Sequence, residues 1–178
     1  MRKVKIKKPF IYYEDLKPWE FTVAVIYALA TLGVIVLCFL GNGDTKQITL
    51  IMYGMLPQLF LYFFLYVSLR NFRSYLILFG FGIVHLILYF IYKGDLELQR
   101  LGNPSAGLIN TIPLLLLFQL LRYASRKIQH REFVAPAKGG GPDLIENKKV
   151  TFVDFAICIV YIGSFVGLTI CVVYFWSG

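Results

Sequence analysis

Five stretches of this chain contain no aspartate, glutamate, lysine or arginine: Phe21 to Leu40, Gln47 to Leu69, Ser74 to Tyr92, Leu101 to Leu121 and Phe155 to Gly178. A hydrocarbon core of about 30 Å takes about 20 mostly apolar residues as a helix. Backbone in lipid must also satisfy its own hydrogen bonds, which single segments do only as helices. The runs therefore predict an all-α integral membrane protein with five transmembrane helices. Charged residues make up 16% of the chain, against about a quarter in soluble domains. We expect one membrane domain over 1–178, with spans near 20–41, 47–69, 74–92, 104–122 and 152–176.

The fourth run is the weakest. Its strongly apolar part, Leu108 to Leu121, covers roughly 21 Å at about 1.5 Å per residue, and Leu-Gly-Asn-Pro-Ser-Ala-Gly before it reads as a turn. A re-entrant segment is the alternative. Charge decides between them. The only long polar stretch after the N-terminus is a basic loop over 122–150, which carries Arg122, Arg126, Lys127, Arg131, Lys138, Lys148 and Lys149. Lys and Arg collect on the cytoplasmic side. With five spans and a cytoplasmic N-terminus, only Lys46, Lys93 and Arg100 of the 18 lysines and arginines fall outside. The C-terminus is then outside, and Arg122 is expected to snorkel and lengthen the short span.

Phe21 to Leu40 is long enough to span, so it reads as an uncleaved first helix behind a basic arm, not as a signal peptide. Tyr12, Tyr13 and Trp19 fall where an interfacial aromatic belt belongs. Beyond Arg122 the fourth helix is expected to continue through Phe133, until Val134 to Pro142, with Pro136, Pro142 and three glycines, ends it in a mobile linker. Thr151-x-x-Asp154 is a capping-box-like start for the last helix.

The net charge of +8 reflects basic residues at the ends of apolar runs, and no nucleic-acid motif accompanies it. Cys38, Cys158 and Cys171 lie inside apolar runs and read as small hydrophobes. Two histidines and no Cys/His cluster point to no metal and no cofactor. No Walker loop, HExxH, GxSxG or paired intramembrane carboxylate is present, so no catalytic residue is assigned and a non-enzymatic role is expected.

Ionisable groups inside spans are functional candidates by default. Gln58 and His85 lie equally far from the centre of the Arg70–Arg73 turn, roughly 20 Å at about 1.5 Å per residue. That places both near mid-membrane and predicts an amide–imidazole hydrogen bond. Tyr62 and Tyr89 lie one turn away. Such pairs most often hold helices together, for about 0.6–2 kcal/mol. Pro57 removes one helical hydrogen bond beside Gln58 and is a candidate hinge, and Pro113 does the same in the fourth run. Gly163 and Gly167 form a small-residue face suited to helix packing, within the chain or with a partner. Arg122, Arg126, Lys127 and Arg131 form a candidate surface for anionic lipid headgroups or a cytoplasmic partner.

The leading expectation is a small structural or accessory subunit, or a scaffold, of a membrane complex in a bacterial cytoplasmic membrane. Its partners would be other membrane subunits or itself, besides the bilayer. A permease or channel centred on Gln58 and His85 is the alternative. A lipid-directed enzyme is a third class with little to support it.

Overall fold

The computed structural model describes residues 9–95, 103–136 and 145–175, the side chains of 172–175 excepted. The basic arm Arg2–Lys8, loop 96–102, Lys138 and glycines 139–141 lie outside the described residues. The described chain is all-helical. It consists of α1 (Pro18–Leu40), α2 (Gly43–Phe63), α3 (Phe72–Tyr92), α4 (Thr111–Gln129) and α5 (Phe152–Phe175), with short 3-10 helices at Ser68–Arg70 and Pro104–Asn110. Four helices are long and apolar enough to cross a membrane: Pro18–Leu40, Phe72–Tyr92, Pro104–Gln129 and Phe152–Cys171. This is the fold of a helical membrane protein.

Local chemistry sets the helix ends. Pro18 opens α1, where its missing N–H costs nothing, and the Glu20 carboxylate accepts the Lys17 N–H at 2.9 Å. Gly41 turns to extended backbone and ends it, its N–H donating to the Leu37 carbonyl at 2.8 Å, where a Cβ would lie 2.5 Å from that oxygen. The Asn42 side chain then accepts the Thr45 N–H at 3.0 Å. That cap starts α2 at Gly43, not at Gln47, so Asp44 and Lys46 belong to its first turn. Most of the stretch 41–46 between the first two charge-free runs is thereby helical.

At the other end α2 stops at Phe63, and the chain turns through 64–67 to bury Leu65, Tyr66 and Leu69. The second apolar run thus ends outside its α-helix. Asn71 caps α3 through the Arg73 N–H, and it also exchanges two bonds with the Glu14 backbone, at 3.1 and 2.9 Å. The Phe72 N–H donates to the Tyr12 carbonyl at 3.0 Å, and Arg73 pairs with Asp15 at 2.6 Å. Residues 9–17 are therefore strapped across the α2–α3 end of the bundle.

Of the Leu-Gly-Asn-Pro-Ser-Ala-Gly stretch, expected to be a turn, Leu101 and Gly102 lie outside the described residues and the remainder enters a largely buried 3-10 helix at Pro104. Asn103 accepts from the Ser105 N–H and hydroxyl and donates to the Lys93 carbonyl at 2.7 Å, tying this segment to the end of α3. The switch to α-helix comes at Thr111, and Pro113 falls in the first turn of α4, where its lost N–H matters little. A 3-10 helix rises about 2.0 Å per residue against about 1.5 Å. Pro104 to Leu121 therefore covers about 30 Å, and the short span reaches its length this way. Arg122 does not snorkel. It is 2% exposed and turns inward.

α4 ends at Gln129, earlier than the absence of helix breakers suggested. His130 adopts a left-handed conformation, φ 52°. The chain reverses, and Phe133, Val134 and Ala135 are buried in the core. Phe133 packs on Tyr62 and Phe118. Burying these three side chains outweighs what further helical turns in water would contribute. The start of the expected mobile linker is thus part of the core.

The core has two apolar clusters. One, at the α2–α3 end, includes Leu61, Tyr62, Leu78, Leu114, Phe118 and Tyr161. The other includes Val34, Leu50, Tyr53, Leu88 and Leu108. On α2, α3 and the fourth run alike, a buried polar residue stands between them: Gln58, His85 and Thr111.

Candidate functional site

Those three residues form a chain of hydrogen bonds. The Gln58 amide nitrogen donates to the Gly107 carbonyl at 3.0 Å and to the Thr111 hydroxyl at 3.2 Å. Thr111 Oγ1 lies 2.8 Å from His85 Nδ1, and His85 Nε2 lies 3.0 Å from the Tyr27 hydroxyl of α1. Gln58, His85 and Thr111 are each at most 1% exposed. Equal depth does bring Gln58 and His85 together, but the direct amide–imidazole bond is not made. Both ring nitrogens are occupied, and Thr111 bridges the pair.

The bridge depends on close backbone approach. A Cβ on Gly54 would stand 3.3 Å from the Gly107 carbonyl carbon and 3.5 Å from the Leu108 nitrogen. Gly54 thus lets α2 lie directly on the 3-10 helix, as small residues do in membrane packing. Only then can Gln58, one turn along, reach the Gly107 carbonyl. Beside the chain, the Tyr53 ring lies tilted against His85, with ring centroids 4.5 Å apart, and its hydroxyl bonds Thr31 of α1. Tyr161 of α5 donates to the Gln58 carbonyl at 3.4 Å. Tyr62 belongs to an aromatic stack with Tyr161, centroids 4.2 Å apart, and does not extend the polar chain.

A second polar assembly closes the α2–α3 end. Arg122 holds Glu132 with two bonds, 2.9 and 3.0 Å, and also donates to the Arg70 carbonyl and Gln119. Its guanidinium lies 4.6 Å from the Phe10 ring centroid. Arg126 shares Glu132 at 3.1 Å. Arg70 pairs with Glu146 at 2.8 Å and donates to the Phe133 carbonyl. Burial pushes the Glu146 carboxyl up, but Arg70 and Lys148 outweigh it and hold it below the usual carboxylate value. Arg131 binds Asp154, a fully buried carboxylate that also accepts from Gln129 and from the Val134 N–H. Thr151 and Asp154 exchange the reciprocal capping bonds, 2.9 and 3.3 Å. A cavity of about 700 Å³ lies among Glu14, Lys17, Glu20, Arg70, Arg126 and Glu132.

The basic residues singled out above therefore have different fates. Arg122 is not on the surface of the chain, because Glu132 and the two aromatic rings enclose it. Arg126 and Arg131 are engaged in ion pairs. Lys127 is exposed and lies 5.6 Å from the Tyr123 ring centroid. Pro57 lies in the wall of two apolar cavities between α1 and α2. Gly163 and Gly167 have no atom of another element within 4 Å of a would-be Cβ, so among the described residues nothing packs on that face.

Reading the sequence missed Thr111, Tyr27, Gly107, Glu132 and Glu146. Thr111 offered one clue, as a hydroxyl inside the fourth charge-free run. Glu132 offered none, since it reaches Arg122 only after the reversal at His130. The described residues hold no group of three His, Cys, Asp or Glu arranged for a metal. Compared with protein-family models, with curated proteins and with solved structures, the chain matches none.

Proposed function

We propose that this protein is a non-enzymatic accessory subunit or scaffold of a larger membrane assembly. The observation that carries this reading is the open Gly163/Gly167 face of α5. Helices associate in lipid by close backbone packing over small residues, and here such a strip points away from the chain's own helices. The opposite face of α5, with Cys158, Tyr161 and Phe165, is the one the bundle covers. The permease alternative asks for a solvated polar centre. The enclosure of His85 and Gln58, with both ring nitrogens bonded, favours a structural role instead.

The test is purification from native membranes in mild detergent, with co-purifying proteins identified by mass spectrometry. We expect a stoichiometric partner, lost in a Gly163→Leu/Gly167→Leu variant that still melts like the wild type. Purification of the protein alone, or a partner retained by the variant, defeats the reading.

The same proposal includes five spans, a cytoplasmic N-terminus, an outside C-terminus and a bacterial cytoplasmic membrane. In support, α2 has 21 residues, about 31 Å of helix. Its connection to α1 is only Gly41 and Asn42, and so short a link makes the two helices antiparallel neighbours. The α2–α3 end, where the arginines cluster, is then cytoplasmic. A reporter fused at the C-terminus is expected to be active only when it folds outside. Activity of a cytoplasm-only reporter there contradicts five spans.

A further inference from the structure

Carboxylates at the α2–α3 end are met by arginines. Asp15 pairs with Arg73, Glu132 with Arg122 and Arg126, Glu146 with Arg70, and Asp154 with Arg131. Glu20 differs. It is 9% exposed, and among the described residues its one partner is the Lys17 N–H, which meets Oε2 at 2.9 Å. The Lys17 side chain is exposed and forms no ion pair with Glu20. A helix N-terminus contributes about half an elementary charge, so the buried Glu20 carboxylate remains short of compensation.

Two further groups at the same place lack partners. Glu20, Ser68 and Ser74 line one small cavity of about 20 Å³, whose other walls are apolar and include Val23, Leu65 and Leu78. Ser68 is 3% and Ser74 5% exposed, and neither hydroxyl oxygen has a hydrogen-bond partner among the described residues. Buried hydroxyls are ordinarily bonded. Two unpartnered ones beside an uncompensated carboxylate point to a ligand. Glu20 also lines the polar cavity of about 700 Å³, which gives that ligand a way in and water for its remaining contacts.

The chemistry of the three groups selects the occupant. All offer hard oxygen donors, and one carboxylate balances one positive charge. A water molecule would serve the hydroxyls and leave the charge. A divalent ion would reverse the charge, and calcium takes about six to eight oxygens, several of them from carboxylates. The cavity admits one body about the size of a water molecule. The serine oxygens are sealed from water, so a smaller ion is the one that reaches them. Potassium is about as large as water; sodium is smaller. We propose that Glu20, Ser68 and Ser74 bind a sodium ion, which ties α1 to the turn between α2 and α3. This site goes beyond the subunit reading and does not depend on it.

The test is equilibrium binding of radioactive sodium to the full chain in mild detergent, with choline chloride holding the ionic strength constant. Saturable binding of a single ion per chain is expected, displaced by sodium chloride and not by equal potassium chloride. The melting temperature should rise along the same curve. Glu20→Gln keeps an acceptor for the Lys17 N–H and removes the charge. It should weaken binding at least about tenfold, since affinity in oxygen-ligand sites follows ligand charge. The double variant Ser68→Ala/Ser74→Ala should weaken it several-fold; hydroxyls that hold no ion would leave binding and its melting-temperature rise unchanged. Binding that never saturates, that potassium displaces equally, or that is the same in both variants as in the wild type, overturns the assignment. If Glu20→Gln melts early, the serine variant alone decides.

Discussion

Glu132→Ala is expected to destabilise the protein by about 3–5 kcal/mol, the usual cost of leaving a buried guanidinium without its carboxylate. Arg122 has 3% side-chain exposure, and Glu132 meets it through both oxygens. The remaining acceptors, the Arg70 carbonyl and Gln119 Oε1, are neutral and do not compensate the charge. Arg126 loses its partner in the same substitution. Thermal unfolding in detergent reads the effect. A double variant, Arg122→Met with Glu132→Leu, separates charge from packing. Replacing a buried pair by apolar side chains is often close to neutral, so the double variant should melt well above Glu132→Ala. If Glu132→Ala unfolds with the wild type, Arg122 is solvated and the assembly at this end is ornamental.

The second large effect belongs to Gly54. Gly54→Val would force side-chain atoms into the backbone at Gly107 and Leu108, where even a Cβ stands at 3.3 and 3.5 Å. Backbone cannot rotate aside, so α2 and the 3-10 helix must part. Overpacking of this kind costs about 1–3 kcal/mol. Separation also breaks the Gln58 bond to the Gly107 carbonyl, which adds roughly 1 kcal/mol. Gly80→Val on α3 is the control, because a Cβ there meets nothing within 4 Å. Equal melting temperatures for the two variants would show that the contact between α2 and the 3-10 helix does not hold in solution.

These two sites mark where reading the sequence stopped. Charge-free runs report the solvent around a segment, and from them the helical membrane class follows directly. They say little about which faces meet, since both faces of a helix in lipid are apolar and periodicity fades. Gln58 and His85 were legible as a pair because depth along antiparallel helices is simple geometry. Thr111 was not, because the register of the fourth run depends on a 3-10 stretch that apolar patterning does not reveal. Arg122 was misplaced for a related reason. Near a membrane edge a basic residue signals topology by default, and only the reversal at His130 brings Glu132 back to enclose it. Gly163 and Gly167 read as a packing face for this chain or a partner, and within the chain the close approach comes instead over Gly54, which belongs to no GxxxG pair.

The strap formed by residues 9–17 has a consequence for biogenesis. Its rings lie on Arg122 and its backbone is bonded to Asn71 and Phe72. The ribosome makes this segment before the helices it docks on, and its docking surface is complete only after the fourth helix has been inserted. Until then the strap is unsheltered at the membrane face. Threading of the helices and closure of the bundle are therefore separate events in time. A bulky fusion placed immediately before Pro9 would leave insertion intact and delay only the closure.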